Sequence, residues 1–196
     1  MRNIFISCGH NNARNWLKNE NWKFVLWFSR DQGAIDPKDP SNTEYKWVRK
    51  VANSLFQLAA SLPNKEYVII LVPENLNLDD RIKWINSRSN STDVCIELHM
   101  NAGGGTGTEV FAHSWSLKAM SIAANFSTIL ANSMGLRNRW AKPDTATRFG
   151  RLGFIRDTKP MAFLIELGFI DNEVDYNAVW TKGATSLKLA LWSIRW

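Results

Sequence analysis

The sequence has few cysteines, few histidines and no long apolar run. Two cysteines in 196 residues exclude a disulfide-dense scaffold, and three histidines leave few ways to build an imidazole site. The longest aromatic-rich apolar stretch, WKFVLWF, is far below the ~20 residues that a membrane-spanning helix needs. The rest of the composition is that of a globular protein, because 45% of the residues are hydrophobic. We therefore expect one domain over residues 1–196.

The net charge is positive, but the basic residues are not concentrated in one run. The net charge of +6 favours an anionic partner such as nucleic acid, a membrane surface or a cell-wall polymer. The basic residues are scattered and no nucleic-acid-binding motif is found, so we expect no nucleic-acid partner. The amino terminus, MRNIFISCGH, has an apolar run too short for a signal peptide. We expect a monomer without a secretion signal.

Short β-branched or aromatic runs alternate with amphipathic segments of helix length. This alternation predicts an α/β fold, a twisted and mostly parallel sheet of about six strands flanked by helices on both faces. The predicted strands are NIFIS, YVIILV, VCIEL, GTEVFAH, GFIRD and AFLIEL, and WKFVLWFS is a candidate for one more. Helices are predicted from Glu44, over 79–88, over 116–134 and from 181 onward, and RWAKPDTATRFG is predicted to be a loop.

Polar residues follow several of these strands, at the edge where parallel α/β sheets carry their sites. His10 and His99 end two strands, and Glu44 opens the first helix. Two imidazoles, one carboxylate and an open position form a recurrent catalytic zinc site. Spacing alone does not separate this interpretation from two structural histidines.

A glutamate ends the strongly apolar strand AFLIEL. An ionised Glu166 there is costly unless it is paired, close to a metal or working as a base. Beside an activated water it would relay a proton to a leaving amine. The structural alternative is a salt bridge to a neighbour such as Arg156.

Four segments together resemble a known family. IFISCGHNN, DQGAIDPKDPSNTEY, CIELHMNAGGGTGTEVF and GFIRDTKPMAFLIELGFIDNEVD are similar, in this order, to the landmarks of the zinc-dependent N-acetylmuramoyl-L-alanine amidases of the Amidase_3 type. The resemblance implies hydrolysis of the amide between N-acetylmuramic acid and the L-alanine of the peptidoglycan stem peptide. It also implies one Zn²⁺ held by His10, Glu44 and His99, with Glu166 as the catalytic residue.

The chain departs from the family pattern at several places. Cys8 stands where the family usually has proline, and its thiolate would join or disturb the site. Glu97 stands where serine is common and shares a strand face with His99, so it would orient that imidazole or compete as a ligand. An aromatic-rich insertion around 13–30 is either a packed flap or a substrate wall.

Other polar side chains are candidates for substrate contacts, and the biological setting has alternatives. Arg156, Asn101 and His113 are candidate substrate-binding residues. Arg148 is another arginine that is predicted to lie near the opening of the site. The chain resembles a phage lysis enzyme that is made in the cytoplasm and released to the wall, and a bacterial remodelling enzyme is the alternative. A catalytically silent peptidoglycan-binding module and a zinc peptidase or deacetylase are the rival functions.

Overall fold

The computed structural model describes residues 2–10, 15–18, 24–27, 32–60, 67–148 and 150–193. Strands and helices alternate over most of these residues. The strands are β1 (Arg2–Cys8), β2 (Asn15–Lys18), β3 (Phe24–Trp27), β4 (Tyr67–Leu71), β5 (Val94–Asn101), β6 (Thr108–Ala112), β7 (Asn138–Pro143) and β8 (Met161–Phe169). The helices are α1 (Glu44–Ala60), α2 (Leu78–Asn86), α3 (Leu117–Met134), α4 (Gly153–Asp157) and α5 (Glu173–Ser193).

The main sheet of the described chain has six strands in the order β4-β1-β5-β8-β6-β7. All neighbouring strands in it are parallel except β6 and β8, which are antiparallel. The predicted fold class, a mostly parallel α/β sheet of about six strands in a single domain, is confirmed. The reversed direction of β6 has a consequence for the site, because its start and not its end lies beside the end of β8.

The sheet is covered on both faces, which explains the nearly continuous apolar runs of its central strands. Ile4 and Ile96 belong to the larger core cluster under α1, α3 and α5. Phe5 and Cys95 lie in a smaller cluster with Ile85 of α2 and side chains of α4. Since side chains alternate along a strand, the residues of β5 that share the face of Cys95 are those at 97 and 99.

Two elements differ from the sequence-based prediction. The segment GFIRD forms α4 and not a strand, and its adjacent residues Phe154 and Ile155 are both buried, in two different clusters. Five residues are too few to reveal a helical period. Residues 139–143 of the predicted loop RWAKPDTATRFG instead belong to the edge strand β7 (Asn138–Pro143), whose mostly half-buried residues show no alternation.

Helix α5 begins earlier than the sequence indicates, at Glu173 and not at 181. Its first turn carries the fully buried Asp175, whose carboxylate accepts hydrogen bonds from the backbone N–H groups of Gly107 and Phe169. A charged residue at a buried position interrupts the apolar pattern, and this hides the first turns of the helix from a periodicity argument.

The aromatic-rich segment contains a separate antiparallel pair, β2 with β3. The additional strand predicted in WKFVLWFS is confirmed by β3. The rest of that segment, including Trp22, lies outside the described residues, so its interpretation as a flap or a substrate wall stays a prediction. Among the described helices, none combines the length and apolar character needed to span a membrane.

Candidate functional site

The neighbouring strands β1 and β5 bring the two predicted ligand histidines to one edge of the sheet. Ser7 pairs with Glu97 in the parallel register, and the backbone N–H of Gly9 donates to the carbonyl oxygen of Leu98 at 2.7 Å. The chain then turns at His10, which has a left-handed φ of 61°. The His10 and His99 rings lie edge to face with centroids 5.3 Å apart. The parallel register of β1 and β5 therefore brings the two imidazole rings together.

Two glycines let the backbone pass directly against these imidazoles. A Cβ added at Gly9 would overlap the ring of His99. A Cβ at Gly33, which has a left-handed φ of 69°, would overlap the ring of His10 and the carboxylate of Glu44. Glycine is required at both positions because any side chain would displace a histidine or the carboxylate.

Glu44, the first residue of α1, places a buried carboxylate between the two histidines. Its Oε2 accepts the backbone N–H of Ala34 at 2.8 Å and lies 3.2 Å from His10 Nε2. Its Oε1 accepts the backbone N–H of Met100 at 3.0 Å and lies 2.8 Å from His99 Nδ1. Burial alone would raise the pKa of Glu44, but the contacts with His10 and His99 outweigh it and hold the pKa well below its usual range.

These three residues form a compact donor set. One ligand atom from each of His10, Glu44 and His99 lies within 4.8 Å of the other two. Two imidazole nitrogens with one carboxylate oxygen suit Zn²⁺ and leave a coordination position open. Cys8 is not in this group within the described part of the chain, and burial raises the pKa of its thiol to about 12, so it is protonated at neutral pH.

Glu166 lies beside this donor set, as the partner of His99 in the pairing of β5 with β8. Its Oε2 is buried and has no hydrogen-bond partner among the residues that the structure describes. Burial raises the pKa of Glu166 to about 7; the charge of His99 opposes this shift, and the charges of Glu44 and Glu109 reinforce it. A carboxyl group with a pKa near neutrality and one oxygen without a described partner is suited to accept and release protons.

A cavity of about 700 Å³ opens over these groups. Its lining includes His10, Glu44, His99 and Glu166, with apolar and basic side chains farther along the same sheet face: Phe111, Leu152, Leu164, Lys142 and Arg148. Asn101 also lines it, but its side chain donates to Glu109 Oε1 at 3.0 Å and accepts the N–H of Ala102 at 3.0 Å. The amide of Asn101 therefore holds Glu109 and the start of the glycine-rich loop in place.

His113 and Arg156 lie elsewhere. Since β6 runs antiparallel to β8, its end pairs with Phe163, three residues and about 10 Å along β8 from Glu166. Arg156 Nη1 lies 3.2 Å from His113 Nε2, and the guanidinium also donates to Asp144 and to Ser114 Oγ. The structure does not bring these two candidate residues into the cavity that holds Glu166, and Arg156 is not its salt-bridge partner among the described contacts.

Residues 4–185 match the family described as N-acetylmuramoyl-L-alanine amidase. The chain belongs to the Amidase_3 family. It is therefore a hydrolase, an N-acetylmuramoyl-L-alanine amidase, as the sequence motifs predicted. A search among curated proteins gives no match.

Solved structures of amidases share this fold. The catalytic domain of the CD27L endolysin, which targets Clostridium difficile, is 26% identical with a TM-score of 0.67, over 97% of this chain and 95% of that one. An amidase from Clostridium difficile 630 is 18% identical with a TM-score of 0.71, over 98% and 97% of the two chains. The catalytic domain of CwlV from Bacillus (Paenibacillus) polymyxa is 21% identical with a TM-score of 0.68, over 97% and 98%.

This amidase has two residues near the site that the sequence argument did not select. Glu109 lies opposite Glu166 in the pairing of β6 with β8 and contacts Arg139 Nε at 2.9 Å and Lys142 Nζ at 2.5 Å. Arg81 of α2 is 6% exposed and contacts Glu97. The sequence does indicate Glu109, because it lies two residues before Phe111 and therefore on the same face of an apolar strand. It does not indicate Arg81, because an arginine within a polar helix is ordinarily exposed.

Proposed function

We propose that this amidase hydrolyses the amide bond between the lactyl group of N-acetylmuramic acid and L-alanine with one Zn²⁺ bound by His10, Glu44 and His99. The observation that carries the proposal is the donor set within 4.8 Å, next to Glu166 on the adjoining strand. A zinc ion in such a set polarises a carbonyl group and lowers the pKa of a bound water toward ~7. Family membership supplies the bond that is cut.

Glu166 is proposed to move the proton that the reaction requires. The water oxygen forms a bond to the lactyl carbonyl carbon while Glu166 takes the proton of that water. When the carbon–nitrogen bond breaks, the same carboxyl group gives the proton to the departing nitrogen, which becomes the free amino group of L-alanine. Burial raises the pKa of Glu166 to about 7 in the metal-free protein, and a bound cation would lower it, so the carboxylate that accepts the proton of water would be favoured near neutral pH.

The cavity supports a substrate with both apolar and acidic parts. Phe111, Leu152 and Leu164 give one wall an apolar surface, while Lys142 and Arg148 add positive charge. We propose the basic residues of the lining, Lys142 and Arg148, for contact with a stem-peptide carboxylate. The candidate residues Arg156 and His113 are better explained as a structural contact near the start of β8.

A role in cell-wall lysis is supported by the likeness to the catalytic domain of an endolysin. The net charge of +6 would draw the protein to an anionic wall. This attraction is screened by salt, so activity on whole walls should fall as the ionic strength rises, whereas activity on small soluble muropeptides should fall much less.

The reaction is tested by digesting purified peptidoglycan and measuring new amino-terminal L-alanine by mass analysis. Zinc-loaded protein should release it, and protein treated with a chelator should not. Glu166→Gln should lower the rate by about 10²- to 10⁴-fold, which is the usual contribution of a general base. Glu173→Gln, at an exposed position of α5, is the matched control and should keep full activity. A different new amino terminus would indicate a peptidase, and loss of acetyl groups without a new terminus would indicate a deacetylase. Binding without cleavage would indicate a silent module.

A further inference from the structure

Glu97 connects one proposed ligand to a buried arginine. Its side chain is 5% exposed, and its Oε2 lies 3.2 Å from His99 Nε2. Its Oε1 lies 2.9 Å from Arg81 Nη1. A buried carboxylate and a buried guanidinium this close neutralise each other, whereas either one alone would be a costly buried charge. His99 therefore has a carboxylate at each ring nitrogen, Glu44 at Nδ1 and Glu97 at Nε2.

Arg81 also connects helix α2 to the strand that carries the other histidine. Its Nη1 donates to Ser7 Oγ at 3.1 Å and to the carbonyl oxygen of Cys8, two residues before His10. At the start of α2 the side chain of Asn77 accepts the N–H of Asp80 at 2.9 Å. Near the end of the helix, Ile85 is buried and holds it against the sheet. One side chain thus contacts both β1 and β5 just before their histidines.

The contact of Glu97 would select one tautomer of His99 once a cation is bound. Both carboxylates are acceptors only, so without a cation each ring nitrogen has an acceptor for a proton. With Nδ1 giving its lone pair to a cation shared with His10 and Glu44, the contact with Glu97 would hold the remaining proton on Nε2. Carboxylates that hold the second nitrogen of a ligand histidine in this way usually raise the metal affinity of a site by 10- to 100-fold. The adjacent guanidinium also explains why Glu97 is a poor candidate for the metal itself, because its charge is already balanced.

We propose that Arg81 and Glu97 form a positioning pair that fixes the tautomer of His99 and the spacing of β1 and β5, and so sets the zinc affinity. The inference rests on the proposed zinc site and goes beyond it, since neither residue is a ligand there. It also assigns a purpose to Glu97, a buried carboxylate that is not one of the proposed ligands.

The test is the dissociation constant for zinc, measured by competition with a chelator, together with the absorption spectrum of the cobalt-substituted protein. Glu97→Gln keeps the size of the side chain but removes its charge. Its amide can also turn its NH₂ group to His99 Nε2, which would put the proton on Nδ1. We expect 10- to 100-fold weaker zinc binding and an altered cobalt spectrum. The fold should be retained, as checked by circular dichroism.

A double-variant series separates positioning from simple stability. Arg81→Met leaves Glu97 as an uncompensated buried charge and should lower the melting temperature more than Arg81→Met with Glu97→Gln. Zinc binding should stay weak in the double variant even though its stability recovers. Asp144→Asn removes the buried carboxylate of another arginine–carboxylate pair, Asp144 with Arg156, near the start of β8. It should lower the melting temperature and leave zinc affinity unchanged.

The outcomes distinguish this inference from the proposed function. If the wild type binds one zinc ion and folded Glu97→Gln binds it within about twofold of the same affinity, the positioning pair is refuted while the zinc site stands. If the wild type binds no zinc, both proposals fail. If Arg81→Met does not fold, the positioning role is tested with Glu97→Gln and Glu97→Ser. Their zinc dissociation constants and cobalt spectra should differ from those of the wild type, and unchanged values would refute the role.

Discussion

His99 lies beside Glu166 toward the end of β8, the near end of the sheet, and His113 lies toward the start of β8, the far end. Each contacts an arginine–carboxylate pair whose carboxylate is buried, but from a different side. His99 faces two carboxylates, with Glu44 Oε1 at 2.8 Å and Glu97 Oε2 at 3.2 Å. His113 faces a guanidinium, with Arg156 Nη1 at 3.2 Å, and its Nδ1 accepts the N–H of Trp115 at 3.2 Å. The same residue types thus create a place for a cation at one end and exclude it at the other.

The comparison shows that the orientation of an ion pair decides what the neighbouring histidine can do. At the near end the carboxylate of the pair points to the imidazole and its arginine lies behind it. At the far end the arginine points to the imidazole and Asp144 lies behind it. Composition alone does not distinguish the two pairs, because each consists of one arginine and one carboxylate beside a histidine.

The largest effect should come from removing each histidine in turn. His99→Ala deletes a proposed ligand, and we expect the rate of L-alanine release to fall by about 10³-fold or more, because a catalytic metal supplies several kcal/mol. His113→Ala should keep most of the activity, since that ring lies outside the cavity. Equal losses in two folded variants would contradict the distinction between the two ends of the sheet.

A smaller effect should follow from filling the space beside a proposed ligand. Gly9→Ala would place a methyl group on the ring of His99, and we expect zinc affinity to fall by at least about tenfold, as for other changes that displace a ligand. Gly153→Ala is the control, because a Cβ there would meet Asp157 Oδ2 at an ordinary 3.5 Å. Chelator competition measures both. Unchanged zinc affinity in Gly9→Ala would show that the close backbone contact does not matter.

Much of the near end could be predicted from the sequence. Apolar strands followed by polar residues placed His10, His99 and Glu166 at one edge, because parallel neighbouring strands end together. His113 followed a strand in the same way, but no local pattern revealed that β6 runs antiparallel to β8, and this reversal places it at the other end. The five-residue helix α4, which carries Arg156, was equally hidden, since so short a segment has no readable period.

The smallest effect concerns the pH dependence of activity. A general base must be ionised, so activity should fall as the pH drops through the pKa of Glu166, and a bound cation would lower that pKa from its value of about 7 in the metal-free protein. The negative charge of Glu109 raises this pKa. Glu109→Gln should therefore move the acidic limb of the kcat/KM profile to lower pH, whereas Glu173→Gln should leave it in place. A shift to higher pH would contradict the assigned influence of Glu109.

The most direct test of the account is the position of the metal in crystals grown with zinc, determined by anomalous diffraction at the zinc absorption edge. We predict one peak at the near end of the sheet, contacted by His10, Glu44 and His99 Nδ1, with His99 Nε2 still bound to Glu97. No peak there, or a peak whose carboxylate ligand is Glu97 and not Glu44, would contradict the proposal that the charges facing His99 were built to hold a catalytic cation.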